Sequence, residues 1–332
     1  MSRCGPNSNS SGADLAAVEE WLEYRWRQLL YNAISESTRR TYNSGVNKFL
    51  NFCGTFGYVV CPANESTLLK FIAFMNESLA LSTVKTYLSA IRFLHLYLGF
   101  DNPFPQFPRI ALVMKGLKRS ASPPRKRLPV TPNLLLAILP FLDFKKYEDC
   151  MFWAATLVAF FGFLRVSKFT VGGSFDPTIH LALRDIRFDA PMDPEAISIW
   201  LKASKTDPFR EGCSVEVGAT YDQLCPVVAL MQYMWMRGGA EGPMFVHKGG
   251  RPLSRGWFQG RLQNLLSRAG VSGDYTSHSL RIGAATSAAI LGVPDYMIKT
   301  MGRWASDAYK VYIRTPRSAW ARTSASLSKA SV

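Results

Sequence analysis

The sequence predicts a mainly α protein in two parts: an N-terminal helical bundle and a larger α+β domain that carries a small antiparallel sheet among its helices. Three observations predict it. Apolar residues recur at helical spacing through the first hundred positions. A basic stretch containing Pro and Ser then interrupts the pattern. Beyond it, short apolar pieces of strand length, bounded by Pro, Gly and Asp turns, alternate with longer helical runs. With 332 residues, 48% hydrophobic and 13% aromatic, the chain can bury a core in each part and is unlike a disordered polymer.

Residues 1–12 are polar and read as a flexible N-terminus without the apolar core of a secretory signal. Residues 13–117 form the first domain. Asp14 is placed to cap a helix whose Leu15, Val18, Trp21, Leu22, Trp26 and Leu29 make an apolar stripe. A second helix is signalled at Ser37, with Tyr42, Val46, Phe49 and Leu50 following. A third runs over 65–77, and a fourth follows Ser82, with Gly99 and Pro103 marking its end. A short helix over 110–117 leads into the extended linker, 118–130.

The second domain, 131–332, opens with a helix signal at Thr131 and the apolar run ending at Leu164. That run is too short for a membrane span and is closed by Arg165. Strand-like pieces follow at 186–188, 197–201 and 214–217. Helices are predicted over 226–235, 257–269, 279–290 and 294–301, with a last short one near the C-terminus.

The charge is +15, with 39 Lys and Arg against 24 Asp and Glu, and the excess is divided almost evenly between the two parts. A polyanionic partner facing both parts fits that distribution better than a single basic tail does. Lys115, Lys118, Arg119, Arg125, Lys126 and Arg127 succeed one another with no acid between them, as suits a segment lying along phosphates. A solvated hinge has the same composition. Arg39 and Arg40 at the second helix start, and Lys85 and Arg92 seven apart on one face of the fourth, are further candidates for DNA contact. Six cysteines without a C-x-x-C pair and four histidines point to reduced thiols, and to neither a zinc site nor a disulfide framework.

Four blocks carry the chemistry: GFLRVSKF at 162–169, WLKASKTD at 200–207, TSHSLRIGAATSAAILGV at 276–293 and MGRWASDAYKVYIR at 301–314. Each alone has an ordinary structural explanation; their order and spacing are the signal. On these blocks the chain resembles the tyrosine recombinases, the phage-integrase family, over about residues 13–315. The resemblance implies a helical, SAM-like core-binding domain and a catalytic domain forming a C-shaped clamp on duplex DNA.

It further implies that Arg165 and Arg281 are the catalytic arginines, Lys205 the lysine of the turn between strands, and His278 the histidine of H-x-x-R. Trp304 stands where many members have His, and Tyr312, in the YIR context, is the nucleophile. Tyr309 remains the competing tyrosine and Lys202 the competing lysine. The chemistry agrees with these assignments. Two guanidinium forks can grip a scissile phosphate, a histidine can take the tyrosine proton, and a lysine can protonate the leaving 5′ oxygen.

The implied reaction is site-specific recombination of double-stranded DNA at an inverted-repeat-like site, through a 3′-phosphotyrosyl link and a Holliday junction. It runs in a synaptic tetramer, with no cofactor and no metal, and a C-terminal segment over 319–329 contacts a neighbour. A DNA-associated protein inside the cell is implied, nuclear in a eukaryote and in the cytoplasm or nucleoid of a bacterium or its phage, with no membrane partner. Type IB topoisomerase-like nicking and rejoining, and a domesticated binder without strand exchange, stay open. One departure favours the binder: Lys168 stands three residues after Arg165, where the family commonly has an acid.

Overall fold

The computed structural model describes residues 12–123, 126–202, 211–313, 321 and 324–326. The chain divides into two compact units, Met1–Pro124 and Arg125–Val332.

The first unit is built from helices α1 (Gly12–Tyr31), α2 (Glu36–Phe56), α3 (Glu65–Asn76), α4 (Leu81–Tyr97) and α5 (Pro108–Ser120). Helix α2 begins at Glu36, one residue before the expected signal, because Ser35, not Ser37, is the cap: its Oγ accepts from the Thr38 N–H at 3.2 Å. Phe49, Phe52, Leu68, Phe71, Ile72, Met75, Val84 and Ile91 pack into one core contributed by α2, α3 and α4, which Ile110 of α5 joins. Gly45 lets α2 approach α4 closely, since a Cβ there would lie 2.9 Å from the Tyr87 ring.

The expected role of the first stripe is corrected. Helix α1 forms, with Asp14 inside its first turn rather than as its cap, but its apolar side chains do not enter the bundle core. Leu15, Trp21 and Leu29 are each more than half exposed. Periodicity predicts a helix with an apolar face; it does not say whether that face has a partner in the same unit.

The linker is corrected at both ends. Lys118 and Arg119 are helical, on the last turn of α5, where cations complement the carbonyl end of the helix. Leu128 and Val130 belong to the second unit. Their N–H groups donate to Asp274 O at 3.0 Å and Ser279 O at 2.9 Å, and Val130 is fully buried.

The second unit contains α6 (Pro132–Ile138), which starts directly after Thr131 as expected, and α7 (Tyr147–Phe161), in which every residue from Asp149 to Phe160 is buried. Strands β1 (Ile186–Phe188), β2 (Ala196–Leu201) and β3 (Cys213–Gly218) form an antiparallel sheet in that order, with Ile199 opposite Ile186 and Val215. Ile197, Ile199 and Leu201 alternate inward along β2, and the intervening Ser198 and Trp200 face out, the period-2 pattern of a half-buried strand. Helices α8 (Pro226–Arg237), α9 (Arg255–Arg268), α10 (His278–Ile290) and α11 (Asp295–Met301) complete the unit. Helix α7 packs on α8 and α10. Its buried Asp149 is satisfied by Arg261 Nη2 at 2.5 Å and the Asp143 N–H at 3.0 Å. No helix among the described residues is long and apolar enough to cross a membrane.

Candidate active site

Helices α7 and α11 end in the same way. After α7, the N–H groups of Phe163 and Leu164 return to Phe160 O at 3.1 Å and Ala159 O at 2.8 Å. After α11, those of Arg303 and Trp304 return to Thr300 O at 2.9 Å and Lys299 O at 3.1 Å. Both are Schellman turns, and both place a side-chain-bearing residue in the left-handed region that usually takes glycine: Phe163 at φ +50° and Arg303 at φ +55°. The first turn delivers Arg165 and the second delivers Trp304.

Arg281, on the first turn and a half of α10, joins these two helix ends. It is 1% exposed. Nη1 donates to Phe163 O and Nη2 to Gly302 O, while its Nε is buried without a partner. Its guanidinium lies 4.1 Å from the Trp304 ring centroid, a cation–π contact. Burial, with Arg165 and Arg303 nearby, pushes the Arg281 pKa down to about 9.

Tyr312 follows the short 3₁₀ segment 307–311 and is half-buried. Its ring meets that of His278 edge-on at 5.0 Å and lies 5.6 Å from Trp304. Thr286 of α10 fixes its backbone by donating from Oγ1 to Tyr312 O at 3.0 Å. Tyr309 is committed elsewhere: it is 3% exposed, and its hydroxyl donates to Asp295 Oδ2 at 3.0 Å. Of the two tyrosines, Tyr312 stands beside the histidine and the tryptophan.

His278 also differs from the other three histidines. His95 Nε2 accepts from the Ala63 N–H at 2.9 Å, His180 Nδ1 accepts from the Asp176 N–H at 2.9 Å, and His247 Nδ1 faces Glu148 Oε2 at 2.6 Å. Among the described residues the His278 ring has no hydrogen bond. Burial, then Arg127, Arg281, Arg165 and Arg255, push its pKa down to about 4, so near neutral pH it is an uncharged imidazole able to accept a proton.

The structure thus brings Arg165, His278, Arg281, Trp304 and Tyr312 into one unit. Lys205, like Arg125, lies outside the described residues, as does the 319–329 segment apart from 321 and 324–326. Lys202, the competing lysine, is bound to Asp185 Oδ2 and donates to His180 O at 3.2 Å, with a side chain only 15% exposed. Lys168 ends the 3₁₀ turn that follows Arg165.

Sequence reasoning missed Arg303 and Arg255, and read Arg127 only as a linker cation although its field reaches His278. Among the described residues none of Arg127, Arg165, Arg255, Arg281 and Arg303 has a carboxylate within 4.0 Å. The site is a cluster of cations of a kind that suits an anion.

In the first unit, Lys85 and Arg92 flank a groove of about 410 Å³ between α4 and α5, lined also by Leu88, Ser89 and Met114. Arg40 lines another, of about 470 Å³, with Thr41, Ser44, Ser82, Thr83 and Thr86. Lys115, Lys118, Arg119, Lys126 and Arg127 are exposed. Arg39 is drawn inward: it pairs with Glu36 at 2.7 Å, donates to Tyr31 O and covers the Tyr31 ring at 3.5 Å. Its donors hold the α1–α2 turn.

No protein-family model and no curated protein matches the sequence. Among solved structures, the chain is similar to the XerH site-specific recombinase bound to palindromic difH substrate, in a post-cleavage complex, with TM-score 0.59 and 14% identity over 80% of this chain and 70% of that one. It is also similar to lambda integrase in a tetramer bound to a Holliday junction, with TM-score 0.55 and 16% identity over 91% of this chain and 84% of that one. A third is the Tn1549 transposon integrase, residues 82–397, in complex with circular-intermediate DNA, with TM-score 0.54 and 15% identity over 80% and 86%. At such identities the likeness is one of architecture, and on it the chain has the tyrosine-recombinase fold, mostly helical with a small three-stranded antiparallel sheet.

Proposed function

We propose that this chain is a site-specific DNA recombinase that cuts and rejoins duplex DNA through Tyr312. The observation that carries the reading is the meeting of Tyr312 with an uncharged His278 among arginines that have no acidic partner among the described residues. Tyr312 Oη attacks the phosphorus, giving its proton to His278; the tyrosyl O–P bond forms as the P–O5′ bond breaks. The 5′ oxygen leaves as a hydroxyl, with Lys205 as the proton source. Arg165 and Arg281 compensate the charge that gathers on the nonbridging oxygens, and Trp304 packs against Arg281 and Tyr312.

Attack by another strand's 5′ hydroxyl reverses the step and restores Tyr312. Every bond broken is replaced by one of the same kind, so the protein's own groups suffice and the sequence needs no ATP or metal. Strand exchange of this type needs two duplexes side by side, hence a tetramer on an inverted-repeat-like target, passing through a Holliday junction as in the lambda integrase assembly. Lys85, Arg92, Arg40 and the basic run from Lys115 to Arg127 supply phosphate contacts, and the protein acts where the DNA is. The binding-only reading is the one that Lys168 favours.

The test is covalent capture on a randomised duplex library, with sequencing of the trapped DNA. Adducts that vanish in Tyr312→Phe and converge on an inverted-repeat sequence are the expected result. Salt-sensitive DNA binding with no adduct from the parent chain defeats the recombinase reading in favour of a binding protein. Relaxation of a plasmid without recombinant product favours topoisomerase-like activity.

A further inference from the structure

The mechanism leaves Arg303 without a task, although its geometry is the most constrained on the site. Three residues other than glycine have positive φ among the described ones, and two of them, Phe163 and Arg303, occupy the equivalent turns that follow α7 and α11. Holding an ordinary L residue in that region costs about 1–2 kcal/mol, so something must over-determine it. The Arg303 guanidinium supplies it. Nη2 donates to Gly162 O at 2.9 Å and Phe163 O at 3.1 Å, and Nη1 to Met301 O at 2.9 Å.

These acceptors are the carbonyl ends of α7 and α11, where cations are favoured. Phe163 O is shared with Arg281, so two arginines bridge the same pair of helix ends. Burial lowers the Arg303 pKa, and the nearby Arg165 lowers it further, which places the two guanidinium groups within each other's field.

We infer that Arg303 is a positioning residue for the chemical step: it ties the turn that delivers Arg165 to the turn that delivers Trp304, and so sets how Arg165 and Trp304 stand to one another where the scissile phosphate is received. The inference rests on the proposed strand cleavage. With its bonds going to protein carbonyls, Arg303 acts on rate and not on DNA affinity. A lysine keeps the charge but cannot reproduce the fork that reaches both helix ends. Glycine relieves the backbone strain and removes the tie.

The test uses the full chain with Arg303→Lys and Arg303→Gly, and Arg165→Ala for comparison. The adduct rate is measured at saturating DNA from the captured pool. Duplex affinity is followed against salt, and the stabilisation of the protein by inorganic phosphate is titrated. Both Arg303 variants are expected to fold, to keep the parent's salt slope and to lose about tenfold or more in adduct rate, as misplacement of a reacting group does. Arg165→Ala loses part of the slope, about 0.9 per phosphate contact.

An unchanged rate in Arg303→Gly overturns the inference. A slope reduced as in Arg165→Ala overturns it too, because Arg303 is then a phosphate contact. If the parent forms no Tyr312-dependent adduct, the cleavage reading fails by itself, and the phosphate titration decides the tie. Weakened phosphate stabilisation in Arg303→Gly supports it, whereas equal stabilisation, or none in the parent, removes it.

Discussion

Gly283 lies two residues beyond Arg281 on α10, where the chain entering the second unit crosses the helix. A Cβ built there meets Val130 O at 1.7 Å and Val130 C at 2.6 Å, and these are backbone atoms with no rotamer to yield. Gly283→Ala therefore moves either the helix or the 128–130 segment by more than an ångström. Overpacking of this kind costs roughly 1–3 kcal/mol, and rupture of the bond from the Val130 N–H to Ser279 O adds about 1. The helix preference for Ala over Gly returns about 1. The net is a loss of about 1–3 kcal/mol, which for a unit of this size lowers Tm by roughly 2–12 °C.

Gly260 on α9 provides the control, since a Cβ there meets nothing within 4 Å. Gly260→Ala is expected to raise stability by up to about 1 kcal/mol. Thermal unfolding of both variants beside the parent checks the pair. A Gly283→Ala protein as stable as the parent refutes the packing account and, with it, the placement of Arg281 and His278 by that contact.

Two further outcomes follow from the site. In the free protein the His278 ring stays uncharged down to about pH 4, whereas an unfolded histidine titrates near 6.5. Its neutral form therefore contributes stability that is full above about 6.5 and is lost as pH falls towards 4. A proton NMR titration with His278→Asn for assignment checks this, and a resonance titrating between 6 and 7 contradicts it. Tyr309→Phe removes the hydroxyl that donates to Asp295, so it should lower stability by about 1 kcal/mol while adducts still form; loss of adducts from that variant in a folded protein would make Tyr309 the nucleophile.

The helices and strands were legible because the local rules agree: apolar spacing, the helix signal at Thr131, and alternation along β2, while the cap of α2 is Ser35 and not the expected Ser37. Tyr312, His278 and Arg281 were legible as motif residues, and their convergence follows from α10 packing on α7 with α11 behind it. The solvent-facing stripe of α1 was not legible, because a hydrophobic pattern carries no address for its partner. Nor was Arg303, because a left-handed φ on an arginine has no sequence signature, and its three acceptors are backbone carbonyls, two of them about 140 positions away. Gly162-Phe163-Leu164 and Gly302-Arg303-Trp304 share only a glycine, so that they form the same turn required coordinates.

That repeated turn explains why the site is cationic and yet folds. A buried guanidinium is costly without partners, and Arg281 has no carboxylate. It has instead the carbonyl ends of two helices and the face of Trp304, which supply partial negative charge without neutralising it. An acidic partner would hold the arginines as well but would cancel the field that attracts a phosphate. Burial, and then the surplus charge of Arg127, Arg281, Arg165 and Arg255, hold the His278 pKa down; an anion beside these arginines opposes that charge and raises the histidine's proton affinity. On the proposed mechanism, proton transfer from Tyr312 thereby becomes easier once a phosphate is in place.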